Sequence, residues 1–193
     1  VKFLREIGEK KILMFCGLFQ CIKKLRLMNW NYLPMHASKI DMVLLTHGHL
    51  DHVGYIPRLV KTGFKVAVLG TAPTLHIAEI ILKDSAKIQE EEASRANDEG
   101  YSSQYPSEAV DTIADAEKAI GHFKEVSEGE WLSLFESIKV RFQYNGHIIG
   151  ATFIELDIHG KRLVFSGDVG RKNDLLMMPP KKPNKADVLF IES

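Results

Sequence analysis

The stretch Thr46-His47-Gly48-His49-Leu50-Asp51-His52 constrains this chain more than any other, because it sets three imidazoles and a carboxylate within six residues. Donors of that kind at that density read as a transition-metal site rather than as a solvated polar loop. Residues 39–46, just before it, form a short apolar run of the kind buried on both faces of a sheet, so the donors begin at a strand's carboxyl end. His47 and His49 are two apart and project to the same side of an extended backbone, where they can share one ion. Asp51 and His52 follow as the chain turns into a helix expected over residues 53–61, and their different direction suits a second ion. Gly48 and Gly54 relieve crowding in so dense a turn.

A metal held by this loop alone would be under-coordinated, which directs attention to other strand ends. His147 follows an amphipathic strand, Ile138–Tyr144, in Asn145-Gly146-His147, and Asp168 follows an apolar strand, residues 162–165, in Ser166-Gly167-Asp168. Each sits at a strand-to-loop junction beside a glycine. Alone, either reads more readily as a turn residue; beside the first motif, both become ligand candidates.

The pattern H-x-H-x-D-H, a later His and a later Asp resembles the metallo-β-lactamase superfamily. Five further features resemble its β-CASP branch of RNA-processing nucleases, which includes bacterial relatives of the pre-mRNA 3′-end processing endonuclease. They are the long gap between His52 and His147, Thr71-Ala-Pro-Thr74, Leu82-Lys-Asp-Ser-Ala86, Gly167-Asp-Val-Gly-Arg171 and Ala186-Asp-Val-Leu-Phe-Ile-Glu-Ser193. The resemblance runs from about residue 11 to the last residue.

This resemblance implies an α/β fold, the four-layer αββα metallo-β-lactamase sandwich, incomplete because the chain stops where the β-CASP insertion would begin. Residues 1–193 would then be the N-terminal part of the metallo-β-lactamase domain, with the β-CASP domain and the closing segment outside the chain. It implies a cofactor of two Zn2+: His47, His49 and His147 on the first, Asp51 and His52 on the second, and Asp168 bridging them. Asp51, His52 and Asp168 would also be catalytic. The implied reaction is metal-dependent hydrolysis of RNA phosphodiester bonds, endonucleolytic or exonucleolytic, by a hydroxide activated between the two ions. Single-stranded RNA would be the substrate, with a homodimer or a nuclease complex as the assembly. Two departures bear on this. The family's Asp before Cys-Gly is replaced in Met14-Phe15-Cys16-Gly17, which would remove a polar group behind the ligand loop, and the family's final metal His is absent from residues 1–193. A small-molecule metallohydrolase acting on a thioester or lactam, and a noncatalytic subunit, remain as alternatives.

With 193 residues, 45% of them apolar, the chain has the composition of one globular domain. No apolar run approaches the roughly 20 residues of a membrane span. The run over residues 12–19 follows Lys10-Lys11 as a signal core would, yet no small-residue cleavage site succeeds it, and it reads as a buried strand. Cys16 and Cys21 are too few for a disulfide framework and read as ordinary thiols, fitting a reducing cytoplasm.

A formal net charge of zero is the main argument against a nucleic-acid substrate. The charge is polarised, however: residues 84–130 carry 13 acidic and 4 basic side chains, whereas residues 160–185 carry 7 basic and 2 acidic. That basic stretch flanks Asp168, and Arg171 and Lys172 within it are candidate substrate contacts. His36, His76, His122 and His159 have no ligand partner at useful spacing and read as structural or exposed.

Elsewhere, residues 71–96 read as a long amphipathic helix with Ile77, Ile80, Ile81 and Ile88 on its apolar face. Residues 97–107 read as a surface loop, and residues 108–118 as a helix with Ala109, Ile113, Ala116 and Ile120 along one side. The remainder is strand-rich: Ile138–Tyr144, Thr152–Ile158, residues 162–165 and residues 188–191, with His159-Gly160 as a hairpin turn.

Overall fold

A computed structural model describes residues 2–20, 22–31, 33–101 and 106–192. Residues 2–120 hold strands β1 (Lys2–Ile7), β2 (Lys10–Cys16), β3 (Met42–Leu44) and β4 (Val68–Gly70), and helices α1 (Lys23–Leu27), α2 (Leu50–Val53), α3 (Ile56–Lys61), α4 (Ala72–Glu99) and α5 (Ile113–Ile120). Strands β5 (Phe123–Glu125), β6 (Leu132–Phe135), β7 (Ile138–Tyr144), β8 (Thr152–Ile158), β9 (Lys161–Phe165) and β10 (Val188–Phe190) follow.

The strands form two five-stranded sheets, ordered β1-β2-β3-β4-β5 and β10-β9-β8-β7-β6. In the first, β2 to β5 run parallel, and β1 folds back antiparallel on β2 as an edge hairpin. Parallel neighbours require crossovers, which the helices supply. In the second sheet, β6 to β9 form an antiparallel meander and β10 adds in parallel to β9.

Alternation along the strands sorts side chains into two cores. Leu13, Val43, Leu45 and Val68 of the first sheet pack on Ile56, Leu59, Leu75, Ala78, Leu82, Ala116 and Ala119 of the helices. Ile12, Met14, Leu44 and Leu69, pointing the other way, meet Val140, Phe142, Ile154, Leu156 and Phe165 of the second sheet. The result is a mixed α/β arrangement consistent with the αββα sandwich. No helix among the described residues is long and apolar enough to cross a membrane.

Several elements differ from their sequence-based expectations. The helix expected over residues 53–61 is two helices, because the Tyr55 N–H donates to the Cys16 carbonyl (2.8 Å) instead of continuing the α2 ladder, and Pro57 then sits in the first turn of α3. The helix expected from residue 108 begins at Ile113: Thr112 and Asp115 form a capping box that fixes the start. The buried face of α4 is Leu75, Ala78, Leu82 and Ala86, while Ile80 and Ile88 are exposed. The helix also runs three residues past the expected end, to Glu99, and closes on left-handed Gly100. The strand expected over residues 12–19 ends at Cys16. Strands β7 and β8 have their expected bounds, and His159 and Gly160 both take positive φ (51° and 80°) as a tight primed turn requires. Cys16 is buried, which pushes its thiol up to about 12; Cys21 and part of the loop expected over residues 97–107 lie outside the described residues.

Candidate metal centre

All the ligand candidates gather at one end of the two sheets. The loop Thr46–His49 leaves the carboxyl end of β3, and His147 and Asp168 leave the carboxyl ends of β7 and β9, which run the same way because both are antiparallel to β8. Backbone bonds join the sheets at this end: the Thr152 N–H, at the start of β8, donates to the Thr46 carbonyl (2.8 Å).

Three imidazole nitrogens converge there. His47 Nε2 lies 3.1 Å from His49 Nδ1, and His147 Nε2 lies 3.2 Å from the same atom. His47 Nδ1 is 3.1 Å from the Thr46 hydroxyl, which leaves Nε2 to face the cluster. One neutral imidazole has one N–H, so His49 Nδ1 cannot satisfy both neighbours by hydrogen bonding. Four tetrahedral donors on an ion at about 2.05 Å stand roughly 3.3 Å apart, close to the observed spacing. Asp168 completes the group, its Oδ2 being 3.4 Å from His147 Nε2 and 3.8 Å from His47 Nε2. Donor atoms of His47, His49, His147 and Asp168 all lie within 4.8 Å of one another.

Asp51 and His52 stand on α2 beside this group and outside it. His52 Nε2 is 3.6 Å from Asp51 Oδ2 and 3.3 Å from Asp168 Oδ1. The Asp168 carboxylate thus turns one oxygen to His47 and His147 and the other to His52. Both ring nitrogens of His52 and Asp168 Oδ1 are buried with no hydrogen-bond partner among the described residues. A cation resolves such a deficit, so the donor set fits a metal on both sides of Asp168.

Electrostatics point the same way. Burial first, and then the neighbouring imidazoles of His52, His49 and His147, push His47 down to about 2. Burial also lowers His147 and His52, outweighing the carboxylates that pull each upward. Rings held neutral are the form that ligates metal.

Three further residues shape the centre, of which the sequence singled out only Phe15. The Asn145 side chain donates to the Ser166 carbonyl (3.1 Å) and the Asp168 carbonyl (2.9 Å) and accepts from the His147 N–H (3.3 Å), tying the two distant ligand loops together. Its signal was only its place at the end of a strand, one residue before Gly146. Glu192 follows β10, and its carboxyl is raised by burial and by Asp168 and Asp51, which places it on the acidic side of the site. Phe15 has a left-handed backbone (φ 61°) and sets its ring edge-on against His52, with centroids 5.1 Å apart. The sequence showed Phe15 as a missing acid, and the structure shows what stands there instead. Arg171 and Lys172 are exposed on the loop after Asp168. His36, His76 and His159 are exposed, and His122 Nδ1 bonds the Val66 carbonyl (2.9 Å).

The metallo-beta-lactamase superfamily profile matches residues 31–190. The chain belongs to that superfamily. It is 32% identical to ribonuclease TTHA0252 of Thermus thermophilus over 96% of this chain and 38% of that one. It is 30% identical to cleavage and polyadenylation specificity factor 73 of Drosophila melanogaster, covering 97% of this chain and 26% of that one. A Cronobacter sakazakii metallo-beta-lactamase (HARLDQ motif mutant) superposes with a TM-score of 0.53 at 16% identity over 91% of this chain and 58% of that one, a likeness of fold. The chain therefore spans between a quarter and two fifths of the length of these two curated relatives. The ribonuclease matches agree with the β-CASP motifs in the sequence.

Proposed function

We propose that these residues form the metal-binding part of a zinc-dependent RNA-processing nuclease, reading the chain as the N-terminal part of its metallo-β-lactamase domain. The observation that carries this is the convergence of three imidazole nitrogens at 3.1–3.2 Å with Asp168 turned toward them. His47, His49 and His147 with Asp168 would hold a first Zn2+, and His52 and Asp51 with the other oxygen of Asp168 a second. Histidine with carboxylate suits zinc, and a bridging carboxylate suits a pair. When bound, such ions supply Lewis acidity toward phosphoryl oxygens and lower the pKa of water toward neutrality.

The chain's own residues do the rest. Burial favours the neutral form of the His47, His52 and His147 imidazoles. Asn145 holds the His147 and Asp168 loops at a fixed separation. Asp51 and His52, presented on the first turn of α2, would complete the donors of the second ion beside Asp168. Arg171 and Lys172, exposed beyond Asp168, would meet the RNA backbone as charge partners. Ribonuclease names among the relatives support RNA over a lactam or thioester. A single-stranded substrate and a homodimer or larger nuclease assembly are parts of the same proposal, the latter favoured by relatives named as specificity factors.

The test is cleavage of end-labelled single-stranded RNA by zinc-loaded protein, beside Asp51→Ala and with a lactam and a thioester as competing substrates. Metal-dependent RNA cleavage that Asp51→Ala abolishes is the expected result. Intact RNA with turnover of either small molecule overturns the nuclease reading.

A further inference from the structure

Thr71-Ala-Pro-Thr74 opens α4, and its hydroxyls are used in an unexpected way. Thr71 is the residue before the first turn of α4, where a threonine oxygen ordinarily accepts from a free N–H of that turn. Here the side chain makes no such bond. Thr71 Oγ1 lies instead 2.8 Å from the Gly150 carbonyl oxygen and 3.0 Å from Thr74 Oγ1, and Thr74 Oγ1 is itself 2.8 Å from the same carbonyl. Both threonines are buried, at 5% and 0% exposure. The Thr74 hydroxyl donates to Gly150; the Thr71 hydroxyl donates to that carbonyl or to the Thr74 oxygen, and a carbonyl's two lone pairs can accept both.

Gly150 ends the short loop that carries His147. Its φ is +78°, and a Cβ placed on it would lie 2.6 Å from the Thr74 nitrogen and 2.7 Å from Pro73 Cβ. The loop backbone therefore rests directly on the first turn of α4. One turn further along, a Cβ on Gly48 would lie 2.7 Å from Ile77 Cγ2 and 3.1 Å from the Ala78 nitrogen. Gly48 separates His47 from His49. The two loops that supply the three converging imidazoles thus lean on consecutive turns of one 28-residue helix.

We infer that the Thr71 and Thr74 hydroxyls are a positioning clasp that fixes the His147 loop to α4, and so sets His147 relative to His49 for metal binding. The inference rests on the metal-site reading given above. The threonines are positioning residues acting through the Gly150 backbone. Hydrogen bonds that orient ligands from behind commonly change metal affinity by about 10- to 100-fold when removed.

The test titrates Co2+ into the metal-free protein and follows the visible d–d absorption. Wild type is compared with Thr71→Val/Thr74→Val, with Thr71→Ser/Thr74→Ser and with His47→Ala. The valine pair should fold, by far-UV circular dichroism, yet bind Co2+ about 10- to 100-fold more weakly with a weaker, shifted band; the serine pair should behave as wild type. Wild-type affinity and spectrum in the valine pair, with His47→Ala weak, would overturn the clasp alone. Wild-type binding that His47→Ala does not weaken would overturn the metal site beneath it. If the valine pair does not fold, Thr71→Val, which keeps the Thr74 bond, carries the comparison: a smaller fall in affinity supports the clasp and an unchanged spectrum overturns it.

Discussion

The two sides of Asp168 are built on different principles. On the His47, His49 and His147 side, each ligand loop is wired from behind by hydrogen bonds: Thr46 to His47, Asn145 across to the Asp168 loop, and the Thr71/Thr74 pair to Gly150. On the Asp51 and His52 side, the support behind the imidazole is the edge of Phe15, and His52 Nδ1 has no hydrogen-bond partner among the described residues. A hydrogen bond fixes both the tautomer and the orientation of a ligating ring, whereas an aromatic edge fixes orientation alone. The contrast teaches that donors on the two faces of one carboxylate can be held with very different firmness.

The comparison can be broken most directly at its firm side. His49 Nδ1 is the atom both other imidazoles approach, so His49→Ala should abolish tight Zn2+ retention through gel filtration; a full equivalent retained would mean the cluster is not the tight site. On the softer side, Asp51→Ala should abolish RNA cleavage while the first equivalent stays bound, measured by turnover and metal content together. Unchanged turnover would remove the two-ion reading. Asn145→Ala should weaken the first ion by about 10- to 100-fold in a competition titration, since it releases two ligand loops at once. Phe15→Asn should sharpen the contrast by narrowing it. Asparagine accepts the left-handed backbone and offers His52 Nδ1 an acceptor, so second-ion affinity should rise about 10-fold, while loss of the buried ring lowers unfolding stability by about 3 kcal/mol.

The smallest effect is on pH. His47 is depressed in the folded protein to about 2, against roughly 6.5 unfolded, so below pH 6.5 the unfolded chain takes up the proton first. Its stability contribution is fully present above about pH 6.5 and is lost as pH falls toward 2. Urea denaturation of metal-free protein should show about 1 kcal/mol less stability at pH 5.5 than at pH 7 from this residue, with His52 and His147 shifted in the same direction. His47→Gln should flatten that slope.

The candidate ligand positions were legible because their chemistry is local: donors cluster over six residues, and each distant one follows an amphipathic or apolar strand beside a glycine. What supports them was not legible, because it depends on pairs far apart in sequence. Nothing near Thr71 announces Gly150, 79 residues on, and nothing near Asn145 announces the Asp168 carbonyl. Short strands failed for the same reason. Strands β4, β5 and β6 have three or four residues each, too few for a periodic signal, and are strands only because neighbours pair with them. Helix α5 starts at Ile113 and not at residue 108 because the Thr112 and Asp115 capping box, which apolar spacing from Ala109 does not register, fixes its first turn. On α4, Ile81 packs against the core as expected, whereas Ile80 and Ile88 are exposed and the fully buried positions include the small Ala78 and Ala86.

His49 and His147 meet at 3.2 Å although 98 residues separate them. An ion held between them would close that whole span of chain, joining a loop of the first sheet to a loop of the second. Closing a loop of that length is entropically costly and is compensated only by contacts formed late. The donor set of His47, His49, His147 and Asp168 therefore exists as a unit only where both sheets have formed, because its members hang from the ends of β3, β7 and β9.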